Sequence, residues 1–289
     1  MIYNGHTRTC GLIGNPVEHS LSPLMQNYLA EETDINMVYV PFRVEADRVE
    51  DAVKGAFALN LLGCNVTVPH KSAVLPYLTE VDPLAQKIGA VNTLVRLEDG
   101  FKGYNTDMPG LYRAMQRDGV EPAGKDCLIL GAGGVARAVA VMLAEKGAKS
   151  ICILNRTYER ADLIAEEVNK MFGINMVSAM KLDEYDKLPE GKKFLAVQAT
   201  SVGMHPNEDD VIIDEDDFYR KLEAAYDLVY TPGETRFMKL AKKNNVKAYN
   251  GVGMLVFQGI IAFELWNGIR VSDESADIIC RLITEALGV

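Results

Sequence analysis

The 289-residue sequence predicts a two-domain α/β protein, one domain of which is doubly wound around a parallel sheet. Three features predict it. Residues 126–157 read as strand, glycine-rich turn, helix and strand, which is one β-α-β unit. Short apolar runs of strand length alternate with helix-like runs before and after that unit, the pattern of a parallel sheet with crossover helices. A hairpin-like segment ending at Asp107 interrupts the alternation and marks a boundary. Residues 1–107 and 252–289 are therefore expected in one domain and 108–251 in the other.

In the first domain, residues 9–13 form a short strand running into 14–23, a loop of turn-formers. A helix is expected from Pro23, with Ser22 as its N-cap and the proline at the first helical position. Ser20 has no such structural reason. Two hydroxyls two residues apart near a helix N-terminus suit a small carboxylate. Residues 37–42 read as a second strand, 49–59 as a helix and 63–67 as a third strand stopped by Pro69. Lys71 is expected to start a helix passing Leu75 and Leu78. The helix dipole disfavours a cation there, and a local conflict of that kind marks a functional position. Next, residues 89–107 read as a hairpin turning at Asp99-Gly100, with Asn92-Thr93 and Asn105-Thr106 one on each arm. Asp107 ends the second arm, and Pro109 is expected to break regular structure just beyond it.

The second domain is organised by 126–157. An apolar strand, 127–130, meets Gly131, Ala132, Gly133 and Gly134; Val135 then opens a helix that runs to Glu145. Glycines at the first strand-to-helix turn of a Rossmann unit are where a dinucleotide pyrophosphate lies, against free N–H groups of the helix start. Gly131 permits the tight turn and Gly133 lets the backbone approach the phosphates. A second strand, 151–154, ends in Asn155, Arg156 and Thr157, with Arg160 three residues on. An NAD site usually carries a carboxylate there for the ribose 2′-hydroxyl. Two guanidiniums and a hydroxyl instead attract a 2′-phosphate, so NADP(H) is favoured over NAD. A helix over 159–171 and strands near 194–200 and 225–230 come next. A helix over 236–244 and a strand near 247–249 close the domain. A long helix from about 251 and a last one over 274–287 are expected to return to the first domain.

Composition narrows the function. Hydrophobic residues make up 48% and charged residues 24%, the profile of a globular domain. No apolar run reaches the roughly 18 residues of a membrane span. The net charge of −10 disfavours nucleic acid and anionic membrane as partners. An anionic small-molecule ligand then requires a locally basic site. Five scattered cysteines without metal spacing, and an N-terminus lacking a secretory core, predict a cytoplasmic protein with neither disulfides nor a structural metal. The acidic run 208–217 lacks the spacing of a calcium loop and reads as a solvated loop.

Assembled, the motifs resemble those of the shikimate dehydrogenase family over essentially the whole chain. They are HSLSP at 19–23, NVTVPHK at 65–71, GAVNT at 89–93, YNTD at 104–107, GAGGVA at 131–136, NRT at 155–157, TSVGM at 200–204 and GVGMLVFQ at 251–258. Val135 is the one departure, where the family more often has alanine. The resemblance implies an enzyme that reversibly reduces 3-dehydroshikimate with NADPH in aromatic amino acid biosynthesis, without a metal, as a monomer or homodimer. It implies that Ser20 and Ser22 hold the substrate carboxylate, and that Thr67, Asn92 and Gln258 hold ring hydroxyls and the carboxylate. Lys71 and Asp107 would flank the reacting carbon as the catalytic pair. The segment from Gly131 through Ala132, Gly133 and Gly134 to Val135 would bind pyrophosphate. Asn155, Arg156, Thr157 and Arg160 would bind the 2′-phosphate, and Leu228, Tyr230 and Gly251 would line the nicotinamide side. Two alternatives stand beside this reading: a quinate/shikimate dehydrogenase using NAD or both cofactors, and a catalytically silent NADP-binding regulator. The NRT segment argues against NAD, and the presence of Lys71 and Asp107 argues against silence.

Overall fold

The computed structural model describes residues 3–289. Among these described residues the chain divides into two compact units. One runs to Gly110 and takes up Leu255–Ala286; the other comprises Leu111–Met254 and Leu287–Val289.

The first unit is built in chain order from β1 (Arg8–Gly14), α1 (Ser22–Glu32), β2 (Met37–Arg43), α2 (Val49–Ala58), β3 (Gly63–Val66), β4 (Glu80–Val81), α3 (Pro83–Ile88), β5 (Thr93–Arg96) and β6 (Phe101–Tyr104). A further helix, α4 (Asp107–Arg117), begins in it. The sheet order is β2-β1-β3-β5-β6-β4. Helical crossovers make β2, β1 and β3 parallel, whereas the tight turn closed by the Leu97 N–H on the Gly100 carbonyl makes β5 and β6 an antiparallel hairpin. Ile13, Val53, Cys64, Val66, Leu94 and Phe101 are among its buried core residues.

In the second unit β7 (Asp126–Leu130), α5 (Gly134–Glu145), β8 (Ser150–Asn155), α6 (Tyr158–Phe172) and β9 (Val177–Lys181) form one half. The other half has β10 (Phe194–Gln198), α7 (Asp216–Tyr219), β11 (Leu222–Asp227), α8 (Arg236–Lys243) and β12 (Lys247–Tyr249). The strands run β12-β11-β10-β7-β8-β9, all pairings parallel. Counted from β7, that is the 3-2-1-4-5-6 order of the dinucleotide-binding fold, whose direction reverses between β7 and β10. The β7 residues Cys127, Leu128, Ile129 and Leu130 are fully buried, as a strand covered on both faces requires. The chain then returns through α9 (Val252–Asn267) and α10 (Asp273–Leu287). Trp266 Nε1 donates to the Leu94 carbonyl at 2.8 Å and so seats the second half of α9 on the first sheet.

Four local expectations are corrected. Ser22 is the first residue of α1, not its N-cap, because Leu21 is already helical (φ −87°, ψ −2°). Ser20 does have a structural bond: its Oγ accepts the Ser22 N–H at 3.2 Å. Lys71 starts no helix. Residues 71–74 are turns and only a 3-10 turn, Leu75–Tyr77, comes after them. Pro69 and Pro76 leave too short a span, and Pro76 lacks the N–H that an α-helix would need. The dipole conflict at Lys71 therefore does not exist. Asp107 opens α4 instead of ending a hairpin arm, and α4 runs on through Pro109. A proline in the first turn costs nothing, since its N–H would have no helical partner, and Asp107 is favoured at the positive helix end. Beyond these, β4, β9, α3 and α7 were not legible in the sequence.

Candidate active site

Lys71 and Asp107 meet in the first unit. Lys71 Nζ donates to Asp107 Oδ2 at 2.6 Å, and Asn92 Nδ2 donates to Asp107 Oδ1 at 2.9 Å. Asn92 is itself held from the other end, where its Oδ1 accepts the Thr106 N–H at 2.7 Å and the Thr106 hydroxyl at 3.1 Å. The turn carrying Lys71 is pinned by its neighbours. The buried His70 ring donates from Nε2 to the Val44 carbonyl at 2.7 Å, and the Lys71 carbonyl accepts the Val91 N–H at 2.8 Å. Side-chain exposure is 31% for Lys71 and 18% for Asp107, so the pair is reachable by a small molecule while its field is only partly screened.

A buried polar chain continues from this pair. Thr93 Oγ1 donates to Asn92 Oδ1 at 3.2 Å, and Asn65 Nδ2 donates to Thr93 Oγ1 at 3.0 Å. Tyr39 donates its hydroxyl to Asn65 Oδ1 at 2.8 Å. Burial holds the Tyr39 phenol well above its ordinary pKa, so it stays a neutral donor. Ser22, at the start of α1, gives its backbone N–H to Ser20 Oγ. Ser20, Thr67 and Gln258 make their bonds elsewhere. Thr67 comes after β3 with its N–H on the Ile13 carbonyl, and Gln258 Nε2 donates to the Leu255 carbonyl one turn back at 2.8 Å. Sequence reasoning passed over Tyr39, Asn65 and Thr106. Asn65 and Thr106 lie inside the NVTVPHK and YNTD motifs, but Tyr39 sits in an ordinary apolar strand and carries no local signal.

The second unit holds a cavity of 680 Å³ at the β7/β10 reversal. Its floor is the turn after β7, namely Ala132, Gly133, Gly134 and Val135; Asn155 and Arg160 close one end. The facing wall comes from the loops after β10 and β11, with Ala199, Thr200, Ser201 and Met204 from one and residues 228–231 from the other. Gly131 lies just behind the floor with φ +108°, and an added Cβ would collide with Thr200 Cγ2. Gly251 backs Leu228 so closely that a Cβ would lie 2.8 Å from the Leu228 carbonyl carbon. Leu228 and Tyr230 come after β11 rather than extending it, which frees them to line the cavity. Arg156 and Thr157 are exposed and are not among the lining residues.

These residues fit a phosphorylated dinucleotide. No acidic residue occupies the first turn of α5, so nothing repels an anion at its N–H groups. Neither the Arg156 nor the Arg160 guanidinium has a hydrogen-bond or ion-pair partner among the described residues. Two unpaired guanidiniums in a chain of net charge −10 stand where a 2′-phosphate would be read.

Comparison with known proteins decides the family. A shikimate dehydrogenase (NADP(+)) of Desulforamulus reducens is 43% identical over 280 residues, spanning 92% of this chain and 91% of that protein. The chain belongs to the shikimate dehydrogenase family. The model of the shikimate dehydrogenase substrate binding domain matches residues 12–94, inside the first unit. The shikimate / quinate 5-dehydrogenase model matches residues 114–191, inside the second unit, and the shikimate 5′-dehydrogenase C-terminal domain matches 251–275. A second relative, from Methanopyrus kandleri and also named shikimate dehydrogenase (NADP(+)), is 45% identical over 268 residues and 92% of each chain. The shikimate 5-dehydrogenase of Listeria monocytogenes, solved with shikimate and NAD, superposes with a TM-score of 0.89 at 33% identity, covering 97% of this chain and 98% of that one.

Other features of this shikimate dehydrogenase family member bear on its chemistry. No helix among the described residues is long and apolar enough to cross a membrane. All five cysteines are free thiols. In the acidic stretch 208–217, Asp214, Asp216 and Asp217 pair with Arg236, Lys243 and Arg220, so the run is a network of surface ion pairs as well as a solvated loop.

Proposed function

We propose that this chain reversibly reduces 3-dehydroshikimate to shikimate with NADPH, the first unit binding the substrate and the second the cofactor. NADPH, when bound, supplies the hydride. Hydride arriving at a ketone leaves an alkoxide, which needs a proton and a nearby positive charge. Lys71 as ammonium provides both. In the reverse direction neutral Lys71 takes the hydroxyl proton. Asp107, immobilised by Asn92, aims Nζ and keeps lone pairs for the neighbouring ring hydroxyl. Asn92 Nδ2 keeps a second N–H for substrate. Ser20 and Ser22 donate to the carboxylate, and Thr67 and Gln258 to the ring hydroxyls and carboxylate.

On the cofactor side, N–H groups from Gly131 to Val135 hold the pyrophosphate. Asn155, Arg156, Thr157 and Arg160 take the 2′-phosphate; Leu228, Tyr230 and Gly251 shape the nicotinamide end. The protein works in the cytoplasm as a monomer or homodimer, and its five free thiols support a reducing compartment. The observation that carries the chemistry is the 2.6 Å contact between Lys71 and an Asp107 locked by Asn92. An absorbance assay with NADP⁺ and shikimate or quinate side by side tests the reading. Shikimate should be oxidised, and faster than quinate. No NADP-linked oxidation of shikimate by the folded protein would overturn it.

A further inference from the structure

Behind the facing wall of the dinucleotide cavity lies a buried polar knot that none of the steps above uses. Gln198 is the last residue of β10 and Asp227 the last of β11; they are register partners and 1% and 0% exposed. Gln198 Nε2 donates to Asp227 Oδ1 at 3.2 Å and to the Val202 carbonyl at 3.0 Å. Its Oε1 accepts the Thr200 N–H at 2.5 Å and the Thr200 hydroxyl at 2.9 Å. The Thr200 oxygen in turn accepts the Val202 N–H at 3.1 Å. Asp227 Oδ1 also accepts the Val229 N–H at 3.0 Å, and Oδ2 accepts the Thr235 hydroxyl at 2.6 Å.

Asp227 has no ion-pair partner among the described residues, and burial pushes its carboxyl up to about 6. A buried carboxylate without a cation costs stability. Its acceptors, and both ends of Gln198, are spent on two short loops. Those loops carry Thr200 and Ser201 on one side and Leu228 and Val229 on the other, all lining the cavity. Neither knot residue is exposed to that cavity.

We propose that Gln198 and Asp227 are positioning residues for NADP(H): from behind the cavity wall they fix the two loops against which the cofactor lies. This rests on the NADP reading above. The length of Gln198 matters, because one amide reaches the next strand and closes its own loop at once. Loss of the knot leaves the chemistry of Lys71 untouched and lets the wall shift, which weakens binding of the cofactor and spares binding of the substrate.

The test is equilibrium titration of the full-length wild type, Gln198→Met and Asp227→Asn with NADP⁺ and, separately, with shikimate, beside thermal melting and steady-state kinetics. In both variants the NADP⁺ Kd and KM should rise about tenfold or more, as for a wall displaced by a fraction of an ångström. The shikimate Kd should stay within about twofold, and kcat at saturating NADP⁺ within about threefold. Lower melting temperatures with an unchanged NADP⁺ Kd would show the knot to be structural only and overturn the proposal. If Gln198→Met does not fold, Asp227→Asn, which is isosteric, decides alone. A wild type that binds no NADP⁺ overturns the functional reading and this proposal together, whereas wild-type binding preserved in the variants overturns this proposal alone.

Discussion

Gly251→Ala makes a graded prediction because the obstruction is known. An alanine Cβ at this position would lie 2.8 Å from the Leu228 carbonyl carbon and 3.3 Å from its Cα, with the carbonyl oxygen nearer still. To reach ordinary contact the Leu228 peptide has to retreat by about 0.6 Å, more at the oxygen. The strain costs about 1–3 kcal/mol, the usual range for an added methyl in a packed place. Leu228 lines the cavity, so the retreat displaces the wall against which the cofactor is proposed to lie. Displacements near 1 Å cost about a hundredfold in rate or binding, so one somewhat smaller should raise the NADP⁺ KM on the order of tenfold. Shikimate KM, determined at saturating NADP⁺, should move little. Thermal melting and two-substrate kinetics on the same preparation check both halves. An alanine variant with wild-type melting and wild-type NADP⁺ KM would refute the claim that Leu228 is held in place against Gly251.

Three further outcomes are expected. Arg156→Ala should weaken NADP⁺ by about 1.5–3 kcal/mol and NAD⁺ far less, read as the ratio of the two KM values; equal losses would make the arginine structural. Ser22→Ala should chiefly raise the shikimate KM, with kcat little changed, since carboxylate binding is alike in ground and transition states; an unchanged KM would place the carboxylate elsewhere. Asp227, with its folded-state pKa raised to about 6 against an ordinary value near 3.9, binds its proton more tightly folded than unfolded. Its contribution to stability therefore falls as pH rises from about 4 to about 6, by up to about 3 kcal/mol. Urea unfolding of wild type and Asp227→Asn across that window should show the wild type losing ground to the variant as pH rises. A difference independent of pH would contradict the burial argument.

Legibility in the sequence depended on how local the cause was. The β7 strand and its glycine turn were readable because a strand buried on both faces is a continuous apolar run and the turn needs small residues at fixed offsets. The edge strand β9, partly exposed along VSAMK, and the two-residue β4 give no comparable run. Lys71 was singled out for a reason that fails: no helix starts there, and what places the ammonium is Asp107, 36 residues away. Ser20 shows the opposite error, since its bond to the Ser22 N–H depends on Leu21 having already turned helical. The Gln198–Asp227 knot was invisible for the same physical reason. Each residue ends an apolar strand run, and its partner comes from the neighbouring strand. Tyr39 likewise looks like a core aromatic until Asn65 is brought to its hydroxyl.

The most direct test of the account is the turnover of Lys71→Ala, measured in both directions beside Asp107→Asn and the double variant. Losing a positioned acid–base group should cut kcat by about 10²–10⁴-fold while KM for shikimate changes much less. Asp107→Asn should also lower kcat, and the double variant should fall short of the product of the two losses, because the 2.6 Å contact makes the pair one unit. A Lys71→Ala enzyme with near-normal kcat and only a raised KM would show that Lys71 merely binds substrate, and would contradict the acid–base role at the centre of the mechanism.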